Sequence, residues 1–361
     1  MPPPTLLLYG ANGYTGALIA RAAKARGMTP ILAGRNAAAL NALADELNLE
    51  YRVFGLDDAQ LLKQHLQDVN VVLHCAGPFS ATSAPMVEAC LQTRTHYLDI
   101  TGEIDVFEAI RQQDELAKAQ GVLLMPGCGF DVVPTDCLAL MLKHRLPDAT
   151  RLILAFASSG RPSRGTAKTM IEGFKVGGRI RENGKLRQVP LAYKVTTLPF
   201  FTGPQLAMTI PWGDVSTAYV TTGIPNIEVY LGVTPAQVKQ VKRMRYWRWL
   251  VSRGWVQTYL KKKIDRRRPG PTDEERQKAK TVVYGRVENE AGQWAEIQLL
   301  TPNGYDLTVE ASLRIVEHVL KNDVPSGYST PAQLMGENFI LSLPDVKIMF
   351  SSETEMTNRN D

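Results

Sequence analysis

Cysteine is scarce in this chain. Four thiols, Cys75, Cys90, Cys128 and Cys137, are spread over 361 residues, and no two form a CxxC pair. That spacing does not support a disulfide framework and fits a reducing cytosol. No apolar run approaches the ~18 residues of a spanning helix. No charged segment precedes a long apolar core at the start, where Met1-Pro2-Pro3-Pro4 leads into a strand-like run, so no secretory signal is expected. A Ser-His-Asp constellation, a zinc-ligand spacing and a P-loop are all missing, which argues against hydrolase, metalloenzyme and kinase readings. Charge of one sign is also in short supply. The net charge is only +5, so nucleic acid is not an expected partner.

What is present is ordinary for a soluble globular enzyme: 44% apolar and 21% charged residues. The length favours two domains. Over the first ~145 residues short apolar runs alternate with helical patterns. Strands are expected at Thr5–Tyr9, Pro30–Ala33, Tyr51–Phe54, Val69–Leu73, Thr95–Leu98 and Val122–Met125. Helices are expected at Tyr14–Arg26, Ala37–Leu47, Ala59–Leu66, about Ala84–Leu91 and Val106–Ala119. Such alternation predicts a parallel sheet covered on both faces, an α/β doubly wound Rossmann-type domain. Beyond Arg151 the texture changes. Strand-like runs at Arg151–Ala157, Glu228–Val233, Thr281–Glu288 and Trp294–Leu300 lie among Gly/Pro/Ser/Thr-rich stretches. They predict an α+β substrate domain on an open antiparallel sheet, with helices at Thr308–Leu320 and Pro331–Ser342. The expected domains are 1–145, 146–325, and a C-terminal helix and tail at 326–361.

Gly10-Ala11-Asn12-Gly13-Tyr14-Thr15-Gly16 closes the first strand and opens the first helix. Glycines there permit a tight turn and close approach to a pyrophosphate, and the helix N-terminus offers free N–H groups to the anion. At the end of the second strand stand Arg35 and Asn36, with no acid between Ile31 and Asn41. An acid would accept from the ribose 2′-OH of NAD, whereas an arginine suits a 2′-phosphate, so NADP(H) is the expected cofactor. After the fourth strand, Cys75, Ala76, Gly77, Pro78 and Phe79 lie where ligands pass the carboxyl ends of strands. His74 reads as structural and Cys75 as a packing residue. Asp99 and Glu103 read either as a wall beside the nicotinamide or as part of a helix start, with Thr101 as N-cap.

Taken together, Tyr9–Gly16, Ala33–Asn36, Cys75–Phe79, His96–Glu103, Gly127–Asp136, Arg164-Gly165-Thr166 and the run from Gly327 to Gly336 resemble the saccharopine dehydrogenase-like oxidoreductases. The branch containing trans-acting enoyl reductases is the more similar. The resemblance implies NADP(H)-linked transfer of hydride to a C=C or C=N bond, in a two-domain fold with its active site in the cleft. The substrate is a small molecule or an acyl chain. No catalytic acid is fixed; Tyr97, Asp131 and Lys168 are the candidates as proton donor or substrate contact. A non-catalytic NADP-binding sensor or scaffold is the alternative, since a fold does not imply chemistry. The segment Gly160–Gly178, with Arg161, Arg164, Lys168 and Lys175, would serve substrate or partner equally.

One segment concentrates charge. Lys239–Arg268 holds twelve cations and a single acid, Asp265, together with three of the five tryptophans. Val241, Met244, Trp247, Val251, Trp255 and Tyr259 recur at helical spacing, so a basic amphipathic helix is expected. Such a helix either packs on the substrate domain or contacts a membrane peripherally. The expected location is cytoplasmic, with the inner face of a membrane as a second station. A homodimer is left open.

Overall fold

The computed structural model describes residues 4–168, 177–246, 253–266 and 268–349. The chain divides into two compact units. One comprises Met1–Val133 and Tyr305–Met335, the other Pro134–Gly304 and Gly336–Asp361.

In the first unit, strands β1 (Leu6–Tyr9), β2 (Ile31–Gly34), β3 (Tyr51–Val53), β4 (Val71–His74), β5 (His96–Asp99) and β6 (Leu123–Met125) alternate with helices. These are α1 (Tyr14–Ala25), α2 (Ala37–Leu47), α3 (Ala59–Leu66), α4 (Phe79–Thr93), α5 (Ile104–Arg111) and α6 (Asp114–Gln120). The strands pair in parallel in the order β3-β2-β1-β4-β5-β6, the doubly wound arrangement. Every residue of β1, β2 and β4 is buried, as expected for strands covered on both faces. Side-chain caps set two of the helix starts. Asn36 accepts from Ala39 N in α2, and Asp58 from Gln60 and Leu61 N in α3.

Three expectations change here. The helix read over Val106–Ala119 is two helices, because Asp114 starts a new one and turns its carboxylate to the Tyr328 N–H, 2.7 Å away. The helix read over Pro331–Ser342 is also two, α13 (Pro331–Met335) and α14 (Phe339–Ser342), broken where Gly336 takes φ +81°. Finally, the first unit does not end near residue 145. Strand β15 (Gly327–Tyr328) pairs in parallel with β6, and helix α12 (Gly304–Lys321) is fixed to the same unit. Tyr305 meets Tyr14 edge to face, Arg26 pairs with Glu310 and Glu317, and Thr308 Oγ1 accepts from Phe130 N at 2.9 Å.

The second unit holds helix α7 (Val133–Arg145) from Pro134 onward. Its nine-stranded sheet comprises β7 (Arg151–Ser158), β8 (Gly178–Glu182), β9 (Lys185–Val189), β10 (Val195–Phe200), β11 (Gly203–Thr209), β12 (Asn226–Gly232), β13 (Lys280–Glu288), β14 (Trp294–Pro302) and β16 (Lys347–Met349). The sheet is antiparallel apart from one parallel pair, β12 with β7, so it is mixed. The long excursion through β8–β11 and helix α8 (Asp214–Thr222) makes that crossover. Leu138 and Leu142 of α7 crowd the missing side chain of Gly285, which lets the helix lie close on β13.

Among its described residues the basic segment holds two helices, α9 (Pro235–Tyr246) and α10 (Gly254–Asp265), the second starting afresh after Arg253, whose backbone is extended; α11 (Asp273–Lys278) follows. Val238 and Val241 of α9 pack onto an apolar cluster with Met208 and Val233, so that face of the helix is engaged by the protein. Tyr259, expected on the same stripe, is 65% exposed. Trp247 and Val251, like Lys175 of the Gly160–Gly178 segment, lie outside the described residues.

Candidate functional site

The glycine turn sits at the carboxyl ends of β1, β2 and β4. Gly10 N and Ala11 N both donate to Ala33 O of β2, and Cys75 N donates to Tyr9 O of β1 at 2.8 Å. Gly10 has φ +82°, and a Cβ there would stand 2.8 Å from Ala76 N. Backbone from the end of β4 thus crosses directly over the turn. A Cβ on Gly16 would drive into the Gly10 carbonyl oxygen and lie 2.9 Å from Ala11 Cα. Gly34 is closed off by Asn12, whose Oδ1 would be 3.0 Å from an added Cβ. These three glycines let two strand ends and a helix start occupy one small volume.

Helix α1 begins at Gly13 with no side-chain cap and no acid in its first turn. The contrast with α4 is informative. There, Glu103 turns its carboxylate onto the first N–H groups, accepting from Phe79 N at 2.8 Å and Ser80 N at 2.9 Å. The α4 N-terminus therefore already holds a carboxylate, whereas no such cap or first-turn acid is present at α1 among the described residues. Arg35 is exposed just beyond β2 and has no ion-pair partner among the described residues. Its charge is felt at the Tyr9 hydroxyl, as is that of Asp57, though burial dominates and pushes that phenol up to about 12. Asn36, also read as a cofactor residue, spends its side-chain oxygen on capping α2. An open helix start over a glycine cradle, with a free guanidinium beside the second strand, fits a dinucleotide bearing a 2′-phosphate. Gly10 to Gly16 and the Cys75–Phe79 backbone would hold its pyrophosphate and nicotinamide half, and Arg35 its 2′-phosphate.

The other end of the sheet, at β5 and β6, gathers carboxylates. Asp99 is fully buried and accepts from Tyr97 Oη (2.7 Å), Thr101 N (2.9 Å) and Gly127 N (2.9 Å). Burial raises it to about 6, although those three donors pull it back down. Asp131 is partly buried as a residue, but its carboxyl is enclosed. A Cβ on Gly102 would meet Asp131 Oδ2 at 2.7 Å. Burial first, and then the neighbouring Glu103, push Asp131 to about 7.

The structure reassigns several residues. Tyr97 is not available as a proton donor. It is fully buried in the sheet core, and burial and Asp99 together hold its phenol far above the usual range. The N-cap of α5 is Glu103 rather than Thr101, whose hydroxyl accepts from Glu103 N. His74 is structural as read: it is buried, bonded through Nε2 to Thr82, stacked on Tyr9, and held neutral by a pKa lowered to about 3. Burial likewise raises the Cys75 thiol, which leaves it unreactive. Lys168 lies in a helical stretch described over 164–168 of the second unit. The double service of Glu103, capping α4 while polarising Asp131, was not foreseeable, since it needs β4 and β5 to be neighbours.

Fold and site together define a dinucleotide-binding protein of the doubly wound class. The family described as Saccharopine dehydrogenase NADP binding domain matches residues 6–125, and this stretch of the chain is such a domain, with NADP(H) as its cofactor. Among curated proteins the chain is 28% identical over 207 residues to a trans-acting enoyl reductase of Mycobacterium ulcerans, covering 53% of this chain and 49% of that one. It is 31% identical over 183 residues to a putative trans-acting enoyl reductase of Mycobacterium tuberculosis, covering 46% and 43%. It is 26% identical over 210 residues to a lipid droplet localized protein of Caenorhabditis elegans, covering 53% and 49%. The chain spans about half the length of these relatives. In fold it is similar to saccharopine dehydrogenase (L-Glu forming) of Saccharomyces cerevisiae, with a TM-score of 0.68 over 96% of this chain and 100% of that one, at 12% identity.

Arg35→Ala is expected to weaken NADPH by tenfold or more and to leave NADH nearly unchanged. Only the former loses a charge-assisted contact, one of roughly 1.5–3 kcal/mol. Fluorescence titration with both nucleotides checks it; equal losses would remove Arg35 as the selector.

Proposed function

We propose that the chain is an NADP(H)-dependent oxidoreductase that reduces a C=C or C=N bond of an acyl or lipid-like substrate. The observation that carries the reading is the open, uncapped start of α1 above the Gly10–Gly16 cradle, on a domain of NADP-binding kind. The names of the mycobacterial relatives support the acyl character of the substrate, and that of the nematode relative supports a working place at or near a lipid surface. Among the described residues no helix is long and apolar enough to cross a membrane.

When bound, NADPH supplies the hydride that reaches one carbon of the double bond. The other carbon, or the nitrogen, must then take a proton. Asp131 is the group suited to give it, because a carboxyl titrating near neutrality is still substantially protonated at working pH. Glu103 holds its side chain against two backbone donors, Phe79 N and Ser80 N, and its charge helps hold the proton on Asp131. Asp99 ties the β5 and β6 loops together through Thr101 N and Gly127 N, and so positions this pair.

The test is consumption of NADPH by the purified chain, followed with long-chain 2-enoyl thioesters and with imines formed from an amino acid and an aldehyde. Turnover of the thioester, with product two hydrogens heavier, is the expected result. Turnover of the imine alone would replace the acyl reading. Tight binding of NADPH with no oxidation by either class would favour a cofactor-binding sensor.

A further inference from the structure

We propose that the outward faces of α9 and α10 form a docking surface for an anionic lipid bilayer. The inference rests on these two helices of the second unit and is independent of the oxidoreductase reading. Residues 239–268 carry +11 in a chain whose total is +5, so the rest of the molecule is net negative. The charge is not merely abundant but unmatched. On the first unit, surface cations stand against acids, as in Arg21–Glu46, Arg52–Asp68 and Lys118–Asp114. Lys239, Lys242 and Arg243 of α9 and Lys262, Lys263 and Arg266 at α10 are exposed, and none has an ion-pair partner among the described residues.

The helices are oriented to present that charge. On α9, Val238 and Val241 face the sheet cluster, leaving Lys239, Lys242 and Arg243 at i, i+3 and i+4 outward. On α10, Ile264 is buried and Val256 and Leu260 are partly so. Tyr259, Lys262, Lys263 and Arg266 follow at i, i+3, i+4 and i+7 on another face. Tyr259 is 65% exposed at the N-terminal end of this row, the largest exposure among the large apolar side chains of the described residues. An exposed tyrosine on the same face as lysines and an arginine matches the headgroup layer, where the ring sits among glycerol and carbonyl groups and the cations meet phosphate. Because the aliphatic faces are already engaged by the protein, the helices adsorb rather than insert, and binding is governed by charge. It should therefore fall steeply with ionic strength.

Flotation with phosphatidylcholine vesicles containing phosphatidylserine tests the proposal on the full chain. Binding is expected at low salt, with loss at high salt and none to pure phosphatidylcholine. The triple variant Lys262→Gln, Lys263→Gln, Arg266→Gln should lower partitioning roughly a hundredfold, at about 1 kcal/mol of surface attraction per cation. Lys239→Gln, Lys242→Gln, Arg243→Gln is an independent second triple, and Tyr259→Ala should cost a few-fold. NADPH affinity and circular dichroism, unchanged in each, report that the fold is intact. No flotation at low salt, equal binding of both triples and wild type, or equal binding to neutral vesicles would overturn the proposal. So would preference for a single-stranded oligonucleotide over the vesicles at the same salt.

Discussion

Gly16→Val is expected to abolish measurable NADPH binding, a loss of more than about a hundredfold. The side chain cannot be accommodated without moving the start of α1 off the end of β1, because its first carbon already collides with the Gly10 carbonyl and presses on Ala11 Cα. Overpacking of this kind costs ~1–3 kcal/mol or more in stability, and here the displaced element is the one that offers its N–H groups to the pyrophosphate. Gly13→Ala is the matched control. Gly13 has φ −74°, and its added Cβ would meet only Gly10 O, at 3.2 Å. That variant should keep its fold and most of its affinity. Isothermal titration with NADPH, alongside circular dichroism, reads both. If Gly16→Val binds as wild type does, the dinucleotide lies elsewhere.

Asp131→Asn should lower NADPH-dependent turnover by about 10²–10³, the usual worth of a positioned general acid, while leaving NADPH affinity in place. The pH profile separates this from a structural effect. A donor with a pKa of about 7 gives a rate that declines above neutrality, and that limb should vanish in the variant. Stability should respond in the opposite sense. The folded state holds the Asp131 proton far more tightly than the unfolded chain, whose aspartates titrate near ~3.9. The stability this group contributes is therefore complete below about pH 4 and is lost as pH rises through 7. Asn carries no such burden. Variant and wild type should unfold alike near pH 4, and the variant should gain on the order of 4 kcal/mol by pH 8. Denaturant titrations at the two pH values check it; a variant less stable at pH 8 would mean that the carboxylate is required in place.

The cofactor half of the site was legible in the residues because its signals are local. A strand, three glycines and a helix follow one another within about a dozen positions, and Arg35 lies at the tip of the adjoining strand. The doubly wound parallel class of the first sheet also follows from alternation and right-handed crossovers, although which strands are neighbours does not. What escaped notice depends on neighbours far apart in sequence. Glu103 caps a helix that begins 24 residues earlier, and Tyr97, polar at its tip, is fully buried with its hydroxyl satisfied by a hydrogen bond to Asp99. Strands β8 and β9 carry few apolar residues, and β9 and β10 are partly exposed, so periodicity gives them little signal. The parallel pairing of β12 with β7 is invisible without knowing what lies between them.

The return of the chain to its first unit bears on how the protein is made. Arg26 waits for a partner 284 positions downstream, and Phe130 N for one 178 positions downstream. A nascent chain released in order from its N-terminus presents the six leading strands long before β15 and α12 exist to finish their edge and flank. Domains ordinarily fold in order of synthesis, but here the nucleotide-binding unit is completed only after nearly all of the inserted sheet has been translated. A fragment ending near residue 133 would accordingly be an open-edged sheet, prone to association, rather than a small stand-alone NADP-binding protein.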